Sequence, residues 1–135
     1  MATDKTVYIS YEEAVLIHIG LMRALGETRY GVDLRDLVES ALSRPRNAAV
    51  YANADIIGQA ATLLFGLIKN HPWLGGNKRT ATTLLRRFLE LNGYQKNWTT
   101  AEQIELVLAV ESDKWKVTEI ENWLRPRVRK FKFRV

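Results

Sequence analysis

The residues best suited to chemistry in this chain lie in one short stretch, residues 70–80, which reads NHPWLGGNKRT. His71 precedes two cations, Lys78 and Arg79, with a Gly-Gly pair between them. A histidine can accept or release a proton near neutral pH. Glycines let a bulky anion approach the backbone closely, and neighbouring cations neutralise its charge. A base, an anion cradle and two cations in one stretch therefore indicate phosphoryl or nucleotidyl transfer.

Two apolar segments flank this stretch and predict the elements that position it. Helical apolar spacing runs up to Lys69 and resumes as far as Asn92, so we expect a tight loop between two core helices. A helix start exposes backbone N–H groups and a partial positive charge, which suit phosphate. Lys78 and Arg79 fall in that first turn, where cations are unfavourable unless an anion is bound. The alternative is an ordinary inter-helix loop with Asn77 as a helix cap and solvated cations.

The same stretch resembles the signature of the Fic/Doc family, which runs histidine, proline, aromatic, any residue, acid, Gly-Asn, glycine or lysine, and arginine. The matching positions are His71, Pro72, Trp73, Gly76, Asn77, Lys78 and Arg79. Lys78 points to the Doc (death-on-curing) branch, because the adenylylating Fic branch has glycine there. Thr82 stands where many Fic proteins have a second arginine, which also favours Doc. Residues 37–45 and 88–94 resemble the Doc branch as well.

One position departs from that family pattern. Gly75 stands where the family has an aspartate or glutamate that serves as a magnesium ligand, and Mg²⁺ prefers hard oxygen ligands. Between Asp55 and Glu90 the sequence contains no other acidic residue. Three interpretations are open: a distant carboxylate reaches the site, metal binding is weak, or this copy is disabled.

The resemblance implies a toxin of a type II toxin–antitoxin system. Such a Doc-like kinase would use ATP and Mg²⁺ to phosphorylate a threonine of elongation factor Tu and so block translation, with activity attenuated here by the missing acid. His71 would be the general base for the target hydroxyl. Lys78 and Arg79 would neutralise the transferring phosphoryl group and, together with Gly76 and Asn77, bind the nucleotide. The cognate antitoxin would carry a C-terminal segment that folds on binding.

Two other functions remain open. Adenylyl transfer, as in ordinary Fic proteins, is disfavoured by Lys78 and Thr82. A non-catalytic regulatory or nucleic-acid-binding module would use the basic tail, residues 125–135, although we do not expect direct nucleic-acid contact. From Arg127 the tail alternates apolar and basic residues in a strand-like pattern. Such charge runs are usually solvated, and the sharper interpretations are an antitoxin docking surface or a nucleic-acid patch.

Composition sets wide limits on these functions. The 135 residues, of which 47% are hydrophobic, suffice for one domain with one core, residues 1–135. The absence of cysteine excludes disulfides and thiolate metal sites and fits a cytoplasmic protein. Neither a signal peptide nor a membrane span is expected. A net charge of +5 permits nucleic-acid binding and equally suits an acidic protein partner.

Apolar periodicity predicts an all-α, compact single-domain bundle of about six helices. Ser10 with Glu13 and Thr100 with Gln103 read as capping boxes, and Asp33 reads as another helix cap. Residues 7–9 read as an edge strand or an extended lead-in. The predicted helices are residues 11–25, 34–43, 53 or 54 to 69, 77–91, 100–111 and 117–124.

Two further features carry alternatives. Pro45 is expected to end the second helix, which leaves residues 46–53 as a loop. That loop is either a plain connector or, from the resemblance, a flap near the active site that aligns the target by strand addition. His18 lies within the first helix and is expected to be a packed or surface histidine rather than a catalytic one.

Overall fold

The computed structural model describes residues 5–131, and helices make up most of that range. The α-helices are α1 (Tyr11–Ala24), α2 (Arg35–Ala52), α3 (Ile56–Asn70), α4 (Asn77–Leu91), α5 (Thr100–Glu111) and α6 (Val117–Leu124). Two short strands, β1 (Tyr94–Lys96) and β2 (Val128–Lys130), form an antiparallel pair in which Gln95 is opposite Arg129. The predicted all-α bundle of about six helices is confirmed.

Helix α3 forms the centre of the core and fixes the position of the chemical stretch. It is apolar around most of its circumference, and it packs against α2, α4 and α6. Asp55 caps its start, because its Oδ1 accepts a 2.9 Å hydrogen bond from Gly58 N. The helix ends at Asn70, and His71 follows directly as its C-cap residue. The largest fully buried core side chains include Leu63, Leu64, Leu67, Leu84, Leu85, Phe88, Leu106, Ile120 and Leu124.

Helix α2 contradicts the expectation that Pro45 ends it. The helix continues to Ala52, and Pro45 is buried within it. The close crossing of α2 and α3 explains this result. A Cβ placed on Gly66 of α3 would lie 2.5 Å from the Arg44 side chain, so the two helices are in tight contact there. Burial along this face offsets the backbone hydrogen bond that proline cannot donate.

The predicted loop over residues 46–53, whether a plain connector or a flap, is therefore also wrong. Residues 46–52 are helical, and only residues 53–55 separate α2 from α3. Asn53 ends α2 in the left-handed conformation, with φ of 52°. The short connection makes the two helices antiparallel, so residues 46–52 lie at the far end of α3 from His71. At the rise of an α-helix, that separation is about 20 Å.

Two of the predicted helix caps are displaced by tertiary contacts. Helix α5 is capped by Thr99 and Glu102, which exchange hydrogen bonds of 3.1 and 2.8 Å, and not by Thr100 and Gln103. Gln103 instead accepts a 3.0 Å hydrogen bond from the Trp98 indole. Asp33 does not cap α2, whose N-cap position is taken by Leu34 without a side-chain bond.

Of the capping box predicted at the start of α1, Ser10 acts as expected and Glu13 does not. Ser10 Oγ accepts a hydrogen bond from Glu13 N at 3.1 Å, as expected of a cap. The Glu13 carboxylate is drawn to Arg87 on α4, 2.8 Å away. The preceding residues 7–9 are an extended lead-in, which Asn92 holds through hydrogen bonds to both backbone groups of Val7.

The described part of the basic tail is a short turn followed by a strand. A 3₁₀ turn, Arg125–Arg127, leads into β2, and this confirms the strand-like pattern as far as Lys130. Residues 132–135, which complete the predicted tail, lie outside the described range. No helix in the described range has the length and apolar character required to cross a bilayer.

Candidate functional site

The motif loop, residues 71–76, joins α3 to α4 and holds a fixed shape. His71 ends α3 in the left-handed conformation, with φ of 52°, which is unusual for a residue other than glycine. The Asn77 side chain spans the loop: its Oδ1 accepts from Trp73 N at 3.0 Å, and its Nδ2 donates to Trp73 O at 2.9 Å. Asn77 therefore links the two sides of the loop, and it is not the helix cap of the alternative interpretation.

Both glycines of the loop are required by their surroundings. Gly76 has φ of 66°, and a Cβ there would overlap the Met22 sulfur. A Cβ on Gly75 would lie 2.5 Å from the carbonyl oxygen of Arg29. Backbone thus occupies the space that a side chain at position 75 would need.

The neighbour of the motif loop is the α1–α2 loop, residues 25–34, which the sequence indicated only as a turn. Its end runs antiparallel to the motif loop, with Leu74 N donating to Gly31 O at 2.8 Å and Asp33 N donating to Pro72 O at 3.0 Å. Gly31 has φ of 117°, which favours glycine. The two loops therefore form one unit at the end of α3.

A cavity of about 660 Å³ opens between these two loops and the first turn of α4, and we refer to it as the motif cavity. The structure brings all the predicted site residues to its walls, while their catalytic and binding roles remain predictions. The lining residues from the motif are His71, Trp73, Leu74, Gly75, Gly76, Asn77, Lys78 and Arg79. The α1 end and the α1–α2 loop add Met22, Leu25, Glu27, Arg29 and Asp33.

The first turn of α4 presents positive charge with few compensating groups. Its N-cap, Gly76, provides no side-chain hydrogen bond, and the turn contains no acidic residue. Lys78 Nζ lies 3.3 Å from Glu111 of α5, a half-exposed pair. Within residues 5–131, the Arg79 guanidinium has no hydrogen-bond or ion-pair partner. An anion at this helix end would meet backbone N–H groups, the helix dipole and Arg79 together.

Two comparisons with known proteins bear on the family of this chain. The sequence model of the Fic/DOC family matches residues 8–89, which is more than half of the chain. The chain belongs to the Fic/Doc family. It is also 38% identical over 77 residues to Toxin Doc of Mycolicibacterium smegmatis, a match covering 52% of this chain and 58% of that protein. The family prediction is confirmed, and the match spans less than two thirds of this Doc relative's length.

This Fic/Doc chain does not contain the acidic metal ligand that the resemblance implies. At position 75 the space next to the backbone is filled by the Arg29 carbonyl, so the family's acidic side chain does not fit here without a shift of the α1–α2 loop. Sequence reasoning missed two carboxylates, Glu27 and Asp33, which reach the motif cavity from that loop. Among the described residues, no group of three or more histidine, cysteine or acidic side chains is arranged to hold a metal ion. The metal-ligand position of the family's signature is therefore closed by backbone in this chain, and Glu27 and Asp33 are carboxylates that line the cavity instead.

A second cavity, of about 620 Å³, adjoins the motif cavity and shares Lys78 and Arg79 with it. We refer to it as the α5 groove. Helix α5 buries one apolar face, while Ile104 and Leu108 on its other side are each 55% exposed and line this groove. An apolar surface of this kind, bordered by cations, is typical of a protein-binding site.

Proposed function

We propose that this protein is a cytoplasmic Doc-like toxin of a type II toxin–antitoxin system, a kinase that transfers the γ-phosphate of ATP to a threonine of elongation factor Tu. Such a transfer would block translation. The proposal rests mainly on one observation: His71 and Arg79 line the same cavity at the uncapped start of α4. The relative named Toxin Doc supports the toxin assignment.

The reaction requires a base and an anion site next to each other. In the proposed mechanism the His71 imidazole accepts the proton of the threonine hydroxyl as its oxygen bonds to the γ-phosphorus, and the bond to the bridging oxygen of ADP breaks. The first turn of α4 and Arg79 stabilise the charge on the phosphoryl oxygens. Lys78 occupies the position of the glycine found in adenylylating Fic proteins, which supports phosphoryl over nucleotidyl transfer.

Gly75 supports an attenuated activity. Loss of one strong electrostatic contact to a transition state costs on the order of a hundredfold in rate. Incubation with ATP and elongation factor Tu, followed by mass analysis of the factor, tests the reaction directly. A phosphorylated product that disappears in His71→Ala supports the kinase assignment, whereas an adenylylated product excludes it.

Gly75→Asp distinguishes attenuation from lack of enzymatic function. If that variant folds and phosphorylates the factor faster than the wild type, Gly75 is the cause of the low rate. If both proteins are folded and neither yields product, only a binding role remains. Circular dichroism must accompany the assay, because aspartate at position 75 displaces the Arg29 carbonyl.

The partner proposed for the α5 groove is the C-terminal segment of an antitoxin, folding as a helix with apolar and acidic residues. Its apolar side would cover Ile104 and Leu108, and its carboxylates would face Lys78 and Arg79. In such a complex, Leu108→Gln would weaken antitoxin binding by about tenfold or more. Leu16→Gln is the matched control, because Leu16 is 71% exposed on α1 and lines neither cavity.

A further inference from the structure

His18 is the most enclosed titratable side chain near the motif cavity, although it does not line the cavity. It is fully buried, and both of its ring nitrogens have partners. Nε2 accepts a 2.9 Å hydrogen bond from Gly31 N, and Nδ1 lies 2.8 Å from Thr80 Oγ1. The ring stacks on the Trp73 indole with a centroid separation of 4.3 Å and an interplanar angle of 15°.

These partners assign the tautomer of the ring. A backbone N–H can only donate, so Nε2 carries no proton, and Nδ1–H donates to the Thr80 hydroxyl. The imidazole must stay neutral to make both bonds. Burial lowers its pKa from 6.5 to about 4, so it is neutral at physiological pH.

The three contacts join three separate parts of the site. Gly31 belongs to the α1–α2 loop, whose backbone pairs with the motif loop through Leu74. Thr80 lies in the first turn of α4, directly after Arg79. Trp73 is the motif residue that Asn77 holds. One side chain of α1 therefore contacts the α1–α2 loop, the motif loop and the first turn of α4.

We propose that His18 is a positioning residue that holds the α1–α2 loop against the first turn of α4 and so sets the shape of the motif cavity for phosphate. The role in ligand binding rests on the proposed function, because it assumes that the motif cavity takes a nucleotide. The role in holding the loop does not depend on that assumption. Two isosteric substitutions separate the contacts.

The matched variants are His18→Asn and His18→Gln. A glutamine amide oxygen lies near the position of Nε2 and can accept from Gly31 N, whereas the shorter asparagine amide lies near Nδ1 and reaches only Thr80. Hydrogen exchange of the Gly31 and Leu74 amides reports loop attachment, and calorimetric titration with ATP reports the cavity. Both measurements are made at pH 7 on protein shown to be folded.

We expect His18→Asn to exchange the Gly31 amide about tenfold faster and to bind ATP about tenfold more weakly than the wild type, because a single hydrogen bond is lost. His18→Gln keeps an acceptor for Gly31 N but loses the bond to Thr80, so it should exchange the Gly31 amide within about threefold of the wild type and bind ATP about tenfold more weakly. Wild-type exchange and affinity in a folded His18→Asn variant would overturn the proposal. Equally fast Gly31 exchange in both variants would also overturn it, because it would show that stacking of the ring on Trp73, and not the bond to Gly31 N, attaches the loop.

Two further outcomes are distinguishable. If the wild type itself binds no ATP, the proposed function fails, and the exchange measurement alone decides the role of His18. If neither variant at position 18 folds, Thr80→Val removes the acceptor of Nδ1–H while keeping the shape of the side chain and the imidazole. Weaker ATP binding by folded Thr80→Val would support the proposal, and wild-type affinity would contradict it.

Discussion

At the scale of single residues, the shape of the motif loop depends on two glycines whose neighbours leave no space for a side chain. Gly75 is flanked by the Arg29 carbonyl and Gly76 by the Met22 sulfur, so even a methyl group at either position requires a shift. Glycine at position 75, where the resemblance predicts an acid, therefore has a role in packing. It allows the backbone of the α1–α2 loop to close onto the motif loop.

This packing predicts that Gly75→Ala destabilises the protein. The new Cβ meets a backbone atom that moves only with its loop, so we expect a loss of about 1–3 kcal/mol in the free energy of unfolding. Gly20→Ala is the control: Gly20 lies within α1 with no atom near its missing Cβ, and alanine should add up to about 1 kcal/mol. Urea denaturation of both variants checks the prediction. A neutral Gly75→Ala variant would show that the α1–α2 loop yields easily.

His18 predicts a specific pH dependence of stability. Its pKa is lowered by burial from 6.5 to about 4, so between these pH values the unfolded chain binds more protons than the folded protein. This contribution to stability is complete above pH 6.5 and is lost as the pH falls toward 4, an effect on the order of 3 kcal/mol. Folded His18→Gln should lack this component in denaturation experiments across the range. Parallel curves for the two proteins would contradict the assignment.

At the scale of elements, the start of α5 shows how tertiary packing chooses between two residues that are equally suited to cap a helix. Thr99 and Thr100 are adjacent hydroxyl residues, and both suit an N-cap. Thr99 takes that position because Trp98 is buried and engages Gln103, the residue that a cap at Thr100 would need. The start of α5 is thus set by the packing of the residue before it.

Thr99→Ala should therefore destabilise the protein by about 1 kcal/mol, because Glu102 N loses its acceptor. Thr100→Ala, one residue along, should change stability by no more than about 0.5 kcal/mol. Thermal unfolding of the two variants shows which threonine is the N-cap of α5. A larger loss from Thr100→Ala would place the cap where the sequence pattern first indicated it.

At the scale of the whole molecule, the basic tail is partly used for packing. Arg127 Nε contacts Glu102 at 3.1 Å, and its guanidinium lies over the Trp123 ring, 4.7 Å from the ring centroid. Asn97 N also donates to Arg127 O at 2.7 Å. The turn and the start of β2 therefore pack against α5 and α6, while Arg129 and Lys130 remain exposed.

Deletion of residues 125–135 should lower the free energy of unfolding by at least about 2 kcal/mol, because several hydrogen bonds and the β1–β2 pairing are lost. The control variant, Arg129→Gln with Lys130→Gln, removes charge alone and should stay within about 0.5 kcal/mol of the wild type. Denaturation measures both. The control variant also tests the nucleic-acid alternative: a salt-sensitive gel shift of the wild type that the double variant abolishes would support that function.

Apolar periodicity and the specific residue types of the motif determined the number of helices, the place of the motif between two core helices, and the family. These features depend on residues close together in sequence, where spacing alone decides which face is buried. Tertiary structure decided the rest. Packing of α2 on α3 carries a helix through Pro45, and the α1–α2 loop, with no chemical signature of its own, forms the cavity wall. His18 joins that loop to α4 across 62 residues of sequence, as its bond to Thr80 shows. Such contacts outweigh local preference because burial and satisfied buried hydrogen bonds contribute more free energy than the propensity of single residues.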